Sequence, residues 1–352
     1  MNKNKSNIKI YRNTTIYVLG APWSVSGGPE AGHQIVYYLS KCGYNVVLAY
    51  PSDTLTSDYE IVEPYKKYVN TFIKMEDIVD DKKNVIILSE CCGVEYYNKF
   101  KNIQKAIWFL SVENYRSFYN KDFTLVKKMN RLLRIFKHCI FSLLDLDFVV
   151  KNDSTVKLAA SYYAYDYLNK HHGNPKLLIE PISLEFIEYL KKVNYTFEPV
   201  QNRKNIILYN PAKGDNELMV EKLKPFIPEY NFLPLKGYSH EEMIELMNKS
   251  KVYIDFGTFP GAERIPKEAV ICGMCIVTGR NGASNYQGDV PIPDKYKFKD
   301  YKNQLENIST TIKDLMENYS DKIGEFEEYR QTVYNLEDNF IKQIKQVFTI
   351  IE

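Results

Sequence analysis

Four charged side chains crowd the turn Gly261-Ala-Glu-Arg-Ile-Pro-Lys-Glu268: Glu263, Arg264, Lys267 and Glu268, gathered around Pro266. Proline lacks an N–H and has a φ already near the helical value, so it suits the first helical position. The spacing predicts a short helix opened by Pro266, with Arg264 and Lys267 flanking its start. Unpaired N–H groups at a helix start favour an anion, and the two cations add formal positive charge. The chemistry implied is phosphate binding. A second cationic turn, Asn210-Pro-Ala-Lys213-Gly214, stands earlier in the chain. Lys213 alone is a surface charge, but one βα unit from Arg264 and Lys267 it becomes a further candidate for a diphosphate.

These residues need strands and helices to bring them together, and the second half supplies them in a regular order. Asn205–Tyr209 reads as a strand, followed by the Lys213-Gly214 turn and a helix with Asp215 at its N-cap. Phe232–Leu235 is the next strand, and Ser239-His-Glu-Glu242 has the form of a capping box. Val252–Phe256 is a buried strand, with Asp255-Phe-Gly257 as its end, and Cys275–Thr278 is the strand after the Pro266 helix. The polar loop Gly279–Tyr286 follows, and Asn281 is its candidate for a sugar or base contact. In open α/β sheets ligands bind at the carboxyl ends of the strands, where all these turns lie.

The first half has the same grammar. Thr14–Leu19 is a strand that runs into Ser26-Gly-Gly-Pro-Glu30, then a helix to Cys42-Gly43, then strand Val46–Tyr50. The GxGxxG dinucleotide fingerprint is absent. Gly27 and Gly28 are read as a loop that lets backbone approach a ligand closely, with Glu30 beside them. Val85–Ser89 and Ala106–Leu110 are further strands, ending in Ser89-Glu90 and Ser111-Val-Glu-Asn-Tyr115. Glu113 and Asn114 are candidates for acceptor hydroxyls, and Glu113 for a catalytic base if the reaction inverts. Segment 122–141 is amphipathic, with Leu125, Met129, Leu132, Leu133 and Phe136 opposed to Lys127, Lys128, Arg131, Arg134 and Lys137. It is either a domain helix or a helix that lies on an anionic membrane surface. A helix over Ser154–Lys170 and a last strand Leu177–Ile182 close the half, and the linker is expected in Glu185–Asn202.

At 352 residues the chain exceeds the size of one hydrophobic core, so two domains are expected, 1–190 and 191–352. Hydrophobic residues at 45% and charged ones at 26% are those of a soluble globular protein. A net charge of +2 argues against nucleic acid as a partner. Lys3, Lys5, Lys9 and Arg12 have no apolar segment behind them, which predicts no signal peptide and a cytoplasmic location, peripheral at the inner membrane face if 122–141 docks. Cysteine and histidine spacings form no metal framework, and Cys272-Gly-Met-Cys275 reads as core thiols. Abundant Tyr, Lys, Asn and Ile point to an AT-rich bacterial genome.

Glu268-Ala-Val-Ile-Cys-Gly-Met-Cys-Ile-Val277 resembles the donor-site segment of retaining GT-B glycosyltransferases of the family 4 type. The resemblance implies an α/β fold of two Rossmann-like domains facing across a cleft, an acceptor domain first and a nucleotide-sugar domain second. It implies that the helix start receives the donor diphosphate with Lys213, Gly214, Arg264 and Lys267, and that Glu268 accepts hydrogen bonds from the ribose hydroxyls. Where the family has a second Glu, this chain has Pro260, and the nearby Glu263 is the candidate for the sugar. Gly27 and Gly28 match the family's glycine loop at the acceptor side. The function implied is transfer of a sugar from a nucleotide sugar to an acceptor hydroxyl, on a glycan or lipid-linked acceptor of bacterial surface polysaccharide, without cofactor or metal. A nucleotide-sugar epimerase of the same fold and a non-catalytic glycan- or nucleotide-binding protein are the alternatives.

Overall fold

The computed structural model describes residues 7–22, 25–56, 59–92, 94–121, 152, 154–193, 196 and 200–351. The amphipathic segment 122–141 lies outside the described residues. Contacts divide the chain into two compact units, Met1–Glu180 with Asp338–Glu352, and Pro181–Glu337.

The first unit is built on a seven-stranded sheet. Its strands are β2 (Ile16–Leu19), β3 (Val46–Tyr50), β4 (Ile73–Lys74), β5 (Val85–Ser89), β6 (Gln104–Phe109), β7 (Thr155–Ala159) and β8 (Lys176–Leu177), after a short β1 (Ile8–Ile10) that lies outside this sheet. The order is β4-β3-β2-β5-β6-β7-β8, with every neighbouring pair parallel. The chain runs outward from β2 to β4 and then restarts at β5 on the other side of β2. That reversal opens a crevice at the carboxyl ends of β2 and β5. β5 and β6 read as apolar runs because parallel strands under helices are covered on both faces.

The second unit repeats the plan with β9 (Lys204–Tyr209), β10 (Asn231–Pro234), β11 (Ser250–Asp255), β12 (Cys275–Gly279) and β13 (Lys297–Phe298). Their order is β10-β9-β11-β12-β13, again all parallel. Here the reversal falls between β9 and β11, the strands that precede the Lys213 and Glu263 turns.

Several expectations are corrected. Residues from Ser154 do not begin a helix: Thr155–Ala159 is strand β7, paired with β6, and the helix is Tyr162–Lys170, capped by Ser161. The β-branched Thr155 and Val156 and the open edge of β6 outweigh the helical pattern that follows. Gly27 and Gly28 are the first two residues of helix Gly27–Lys41 rather than a loop. The Pro266 helix starts earlier, at Arg264, with Glu263 at the N-cap position. Proline is tolerated there because first-turn N–H groups have no helical partner. Part of the expected linker is helix Leu184–Lys192, and β8 is only two residues long.

The chain also returns to the first unit. Phe340, in helix Leu336–Val347, meets Tyr38 edge-on at 5.4 Å and stacks on Trp108 at 6.1 Å. Gln343 accepts the Ile179 N–H at 2.8 Å. Strand β14 (Phe348–Ile350) then pairs in parallel with β1, which the Gln104 amide ties to β6 through both the N–H and the carbonyl of Lys9.

Candidate functional site

The site in the second unit lies where two crossover loops touch. After β9, Gly214 turns the chain with φ +47°, a conformation that favours glycine, and a Cβ there would lie 3.3 Å from Gly257 Cα. A Cβ on Gly257 would lie 2.8 Å from Lys213 Cβ and 3.0 Å from Asp255 Oδ1. Both glycines are required by this close approach of the loops after β9 and β11.

Beneath the contact sits a buried polar network. Asp255, 1% exposed, accepts from Asn216 Nδ2 (2.9 Å) and the Gly257 N–H (3.0 Å) on one oxygen and from the Tyr253 hydroxyl (2.9 Å) on the other. Asn216 also donates to the Asn210 carbonyl at 2.9 Å and accepts the Phe256 N–H at 2.6 Å. One amide side chain thus joins the start of the first loop to the start of the second. Burial holds the Asp255 carboxyl above its ordinary range, with Asn216, Gly257 and Tyr253 opposing that rise. Asn281 Nδ2 donates to the Phe256 and Gly257 carbonyls, both at 3.2 Å, which binds the loop after β12 to the same point.

On this base Lys213 Nζ forms an ion pair with Glu263, the two side chains being 24% and 16% exposed. Burial pushes the Glu263 carboxyl upward; Lys213 and Lys267 pull it down, and Asp255 adds to the rise. Arg264 begins the helix Arg264–Ile271, in which Lys267 and Glu268 are buried. The far end of that helix is anchored: Arg203 donates to the Cys272 carbonyl at 2.7 Å, and the Tyr319 hydroxyl donates to the Gly273 carbonyl at 2.5 Å. A cation at a helix C-terminus satisfies its orphan carbonyls and the dipole together. Lys213, Gly214, Glu263 and Asn281 therefore lie on three loops at the carboxyl tips of β9, β11 and β12, with Arg264 at the start of the helix after β11, an arrangement that can hold an anion against a helix start. Asp215 stands at the N-cap position as expected, but its side chain makes no cap hydrogen bond; it accepts from Tyr301 and pairs with Lys302, each at 2.7 Å.

The residues singled out in the first unit are more dispersed. Gly27 and Gly28 are exposed on the first turn of their helix, and Glu30 is buried, accepting from the Tyr68 hydroxyl at 2.7 Å. His33, on the same helix, stacks on Tyr65 with ring centroids 4.3 Å apart. Its Nδ1 donates to the Pro29 carbonyl at 2.7 Å, so Nε2 accepts from the Tyr50 hydroxyl. Burial lowers the His33 pKa, in keeping with this neutral tautomer. Glu113 and Asn114 are in the first turn of helix Val112–Lys121, not in a strand-end loop. Glu113 accepts from Tyr163 at 2.5 Å, and its other oxygen is buried with no hydrogen-bond partner among the described residues.

The sequence marks Glu90 only as a polar strand end. It is buried, and its two oxygens accept the Leu110 and Ser111 N–H groups, each at 3.1 Å, so it fixes the loop that leads into Glu113. Burial pushes its carboxyl up to about 7. No sequence signal marks it beyond its place after β5. Among the described residues no group of three or more His, Cys, Asp or Glu side chains is placed to hold a metal ion.

No family model matches the chain, and no curated protein is similar to it in sequence. Solved structures are similar in fold. A glycosyltransferase from Rickettsia africae is 14% identical, with 96% of this chain and 98% of that one covered and a TM-score of 0.59. Sucrose-phosphate synthase from Thermosynechococcus elongatus is 14% identical over 95% of this chain and 98% of its own, with a TM-score of 0.57. WaaG, a glycosyltransferase involved in lipopolysaccharide biosynthesis, is 12% identical over 94% and 99%, with a TM-score of 0.51. At such low identity the likeness is one of architecture, and what it establishes is that this chain has the GT-B fold of glycosyltransferases.

Proposed function

We propose that the protein is a glycosyltransferase that moves a sugar from a nucleotide-sugar donor to an acceptor hydroxyl. The observation that carries this reading is the meeting of Lys213-Gly214 and Glu263-Arg264 at the carboxyl tips of β9 and β11, where strand order reverses beside a helix start. Such a place suits a diphosphate. In this reading Lys213, Arg264, Lys267 and the helix dipole stabilise the leaving diphosphate, so the reaction runs without a metal. Glu268 takes the ribose, Glu263 stands nearest the sugar, and Asn281 holds the loop that frames it. The acceptor is assigned to the first unit, near Gly27, Gly28, Glu30, Asn114 and the buried Glu113 oxygen that has no hydrogen-bond partner among the described residues. Retention at the anomeric carbon follows the resemblance to family 4 enzymes.

A glycan or lipid-linked acceptor of bacterial surface polysaccharide fits a cytoplasmic enzyme that meets the membrane through the basic face of 122–141. Binding to anionic vesicles that weakens with salt tests that contact, and its complete absence removes it. For the transferase itself, a thermal-shift screen over nucleoside diphosphates comes first, since a ligand that prefers the native state raises Tm. Arg264→Ala is expected to weaken nucleoside diphosphate binding by roughly tenfold or more, about one charge-assisted hydrogen bond. An unchanged dissociation constant takes Arg264 out of the site. Release of nucleoside diphosphate from a nucleotide sugar only when acceptor is present separates a transferase from an epimerase. Saturable binding without turnover supports a binding protein instead.

A further inference from the structure

The amine best placed to receive a donor phosphate is already engaged. Lys213 sits after β9 and Glu263 after β11, and their side chains meet in an ion pair while both are largely withdrawn from water. The loops that carry them are fixed: Gly214 and Gly257 hold the two in backbone contact, and Asn216 bridges them from below. An incoming diphosphate would meet a carboxylate in the place its own oxygens need.

We propose that Glu263 is a resident counter-ion for Lys213, standing where the donor's phosphate would stand, and that donor binding displaces it and protonates it. The proposal rests on the donor site described above. The groups that face Glu263 decide the outcome. Lys213 and Lys267 are the cations beside it, Asp255 is a buried carboxyl on the adjoining strand, and Tyr253 and Tyr329 feel its charge from β11 and from helix Glu327–Tyr334. Without Lys213 as its partner, Glu263 would be a buried carboxylate facing Asp255 and the donor's two negative charges, with Lys267 in its favour. Burial already raises its pKa, and each of these changes raises it further. The cheapest response is to take one proton from solvent, which turns the carboxylate into a neutral carboxylic acid with an O–H aimed at the donor's oxygens. A group that binds a proton with the ligand makes the ligand bind more weakly as pH rises.

The experiment is isothermal titration calorimetry of the full chain with UDP-glucose and GDP-mannose as probes, whose diphosphate diesters do not themselves titrate near neutral pH. Repetition in buffers of different ionisation enthalpy counts the protons. The expected result for the wild type is uptake of roughly 0.5 to 1 proton per donor near pH 7.5 and affinity that falls up to about tenfold per pH unit. Glu263→Gln is expected to bind the same probe more tightly, by about tenfold, with no proton uptake, because Lys213 is then free. Binding by the wild type without proton uptake overturns the counter-ion role and leaves the donor site standing. No binding of either probe or of any nucleoside diphosphate overturns both. Should the Gln variant fail to fold, the proton count on the wild type still decides.

Discussion

Asn216→Asp changes one atom type in the network beneath the site, and its cost can be worked from the geometry. Asn216 Nδ2 donates to the Asn210 carbonyl and to Asp255 Oδ1, each at 2.9 Å, while its Oδ1 accepts the Phe256 N–H. An oxygen in place of Nδ2 keeps the last bond and turns the first two into contacts between acceptors. Asp255 Oδ1 keeps the Gly257 N–H at 3.0 Å and the Asn210 carbonyl keeps the Lys213 N–H at 3.4 Å, so what is lost is two hydrogen bonds, about 1–3 kcal/mol before the charge is counted. The charge adds to this, since a second carboxylate would face the buried Asp255. The new Asp therefore stays protonated to a pKa above its unfolded value. Between those two pKa values the folded state binds more protons, so the deficit is largest at alkaline pH and shrinks as pH falls. Taking about 3 kcal/mol at pH 7.5, and about 2–4 °C per kcal/mol for a unit of this size, Tm drops by roughly 6–12 °C. Circular dichroism melts at pH 7.5 and 5 measure it, and Asn216→Ala, which adds no charge, serves as the control, with a smaller pH dependence of the same sign because Asp255 loses a donor that holds its pKa down. If Asn216→Asp melts within about 2 °C of wild type at both pH values, the network does not hold the loops as described.

Three further expectations follow from other residues. Gly257→Ala places a Cβ 2.8 Å from Lys213 Cβ and 3.1 Å from the Lys213 carbonyl, so backbone must shift; a loss of about 1–3 kcal/mol and weaker nucleoside diphosphate binding are expected, and wild-type values for both would contradict the close approach. Glu90, whose carboxyl burial pushes from 4.5 to about 7, binds its proton more tightly folded than unfolded. Wild-type stability should then fall by at most about 3 kcal/mol as pH rises through that window, and urea titrations of Glu90→Gln should show that slope gone. Lys297 is buried with no hydrogen-bond partner for its Nζ among the described residues, and burial pushes it down to about 8. Lys297→Met should be at least as stable at pH 7, with its advantage shrinking between pH 8 and 10.5 as the wild type ceases to carry a buried charge; a large loss at pH 7 would mean that the amine has a partner.

The residues differ in how far their roles could be read in advance. The central parallel strands announce themselves, because a strand covered on both faces is apolar throughout, and glycine and proline mark the loops at their ends. The Lys213 and Glu263 turns both read as donor candidates, with Lys213 placed one βα unit from Arg264 and Lys267. The Lys213–Glu263 ion pair across 50 positions is not legible, since only the order β9-β11 in the sheet makes the two neighbours. In the sequence Asp255 reads as a mere strand end, yet it is the centre of the buried network. A polar side chain's partners are set by tertiary contact and leave no local pattern. Strand β7 was hidden for a similar reason, its pairing with β6 being invisible in Thr155–Ala159 alone. The basic helix start was legible because Pro266 and its charged neighbours act within one turn.

The pairing of β1 with β14 also sets a schedule for synthesis. Asn7 and Thr349, which hydrogen-bond alongside that pair, stand 342 positions apart. Domains generally fold as units while the chain is being made. The second unit is continuous in sequence, from Pro181 to Glu337, and can close on the ribosome as soon as it emerges. The first unit, although started earlier, must keep the flank of Trp108 open until Phe340 arrives to cover it. A nascent chain stalled before residue 338 is thus a half-finished substrate for chaperones, with the later-made unit the first to be complete.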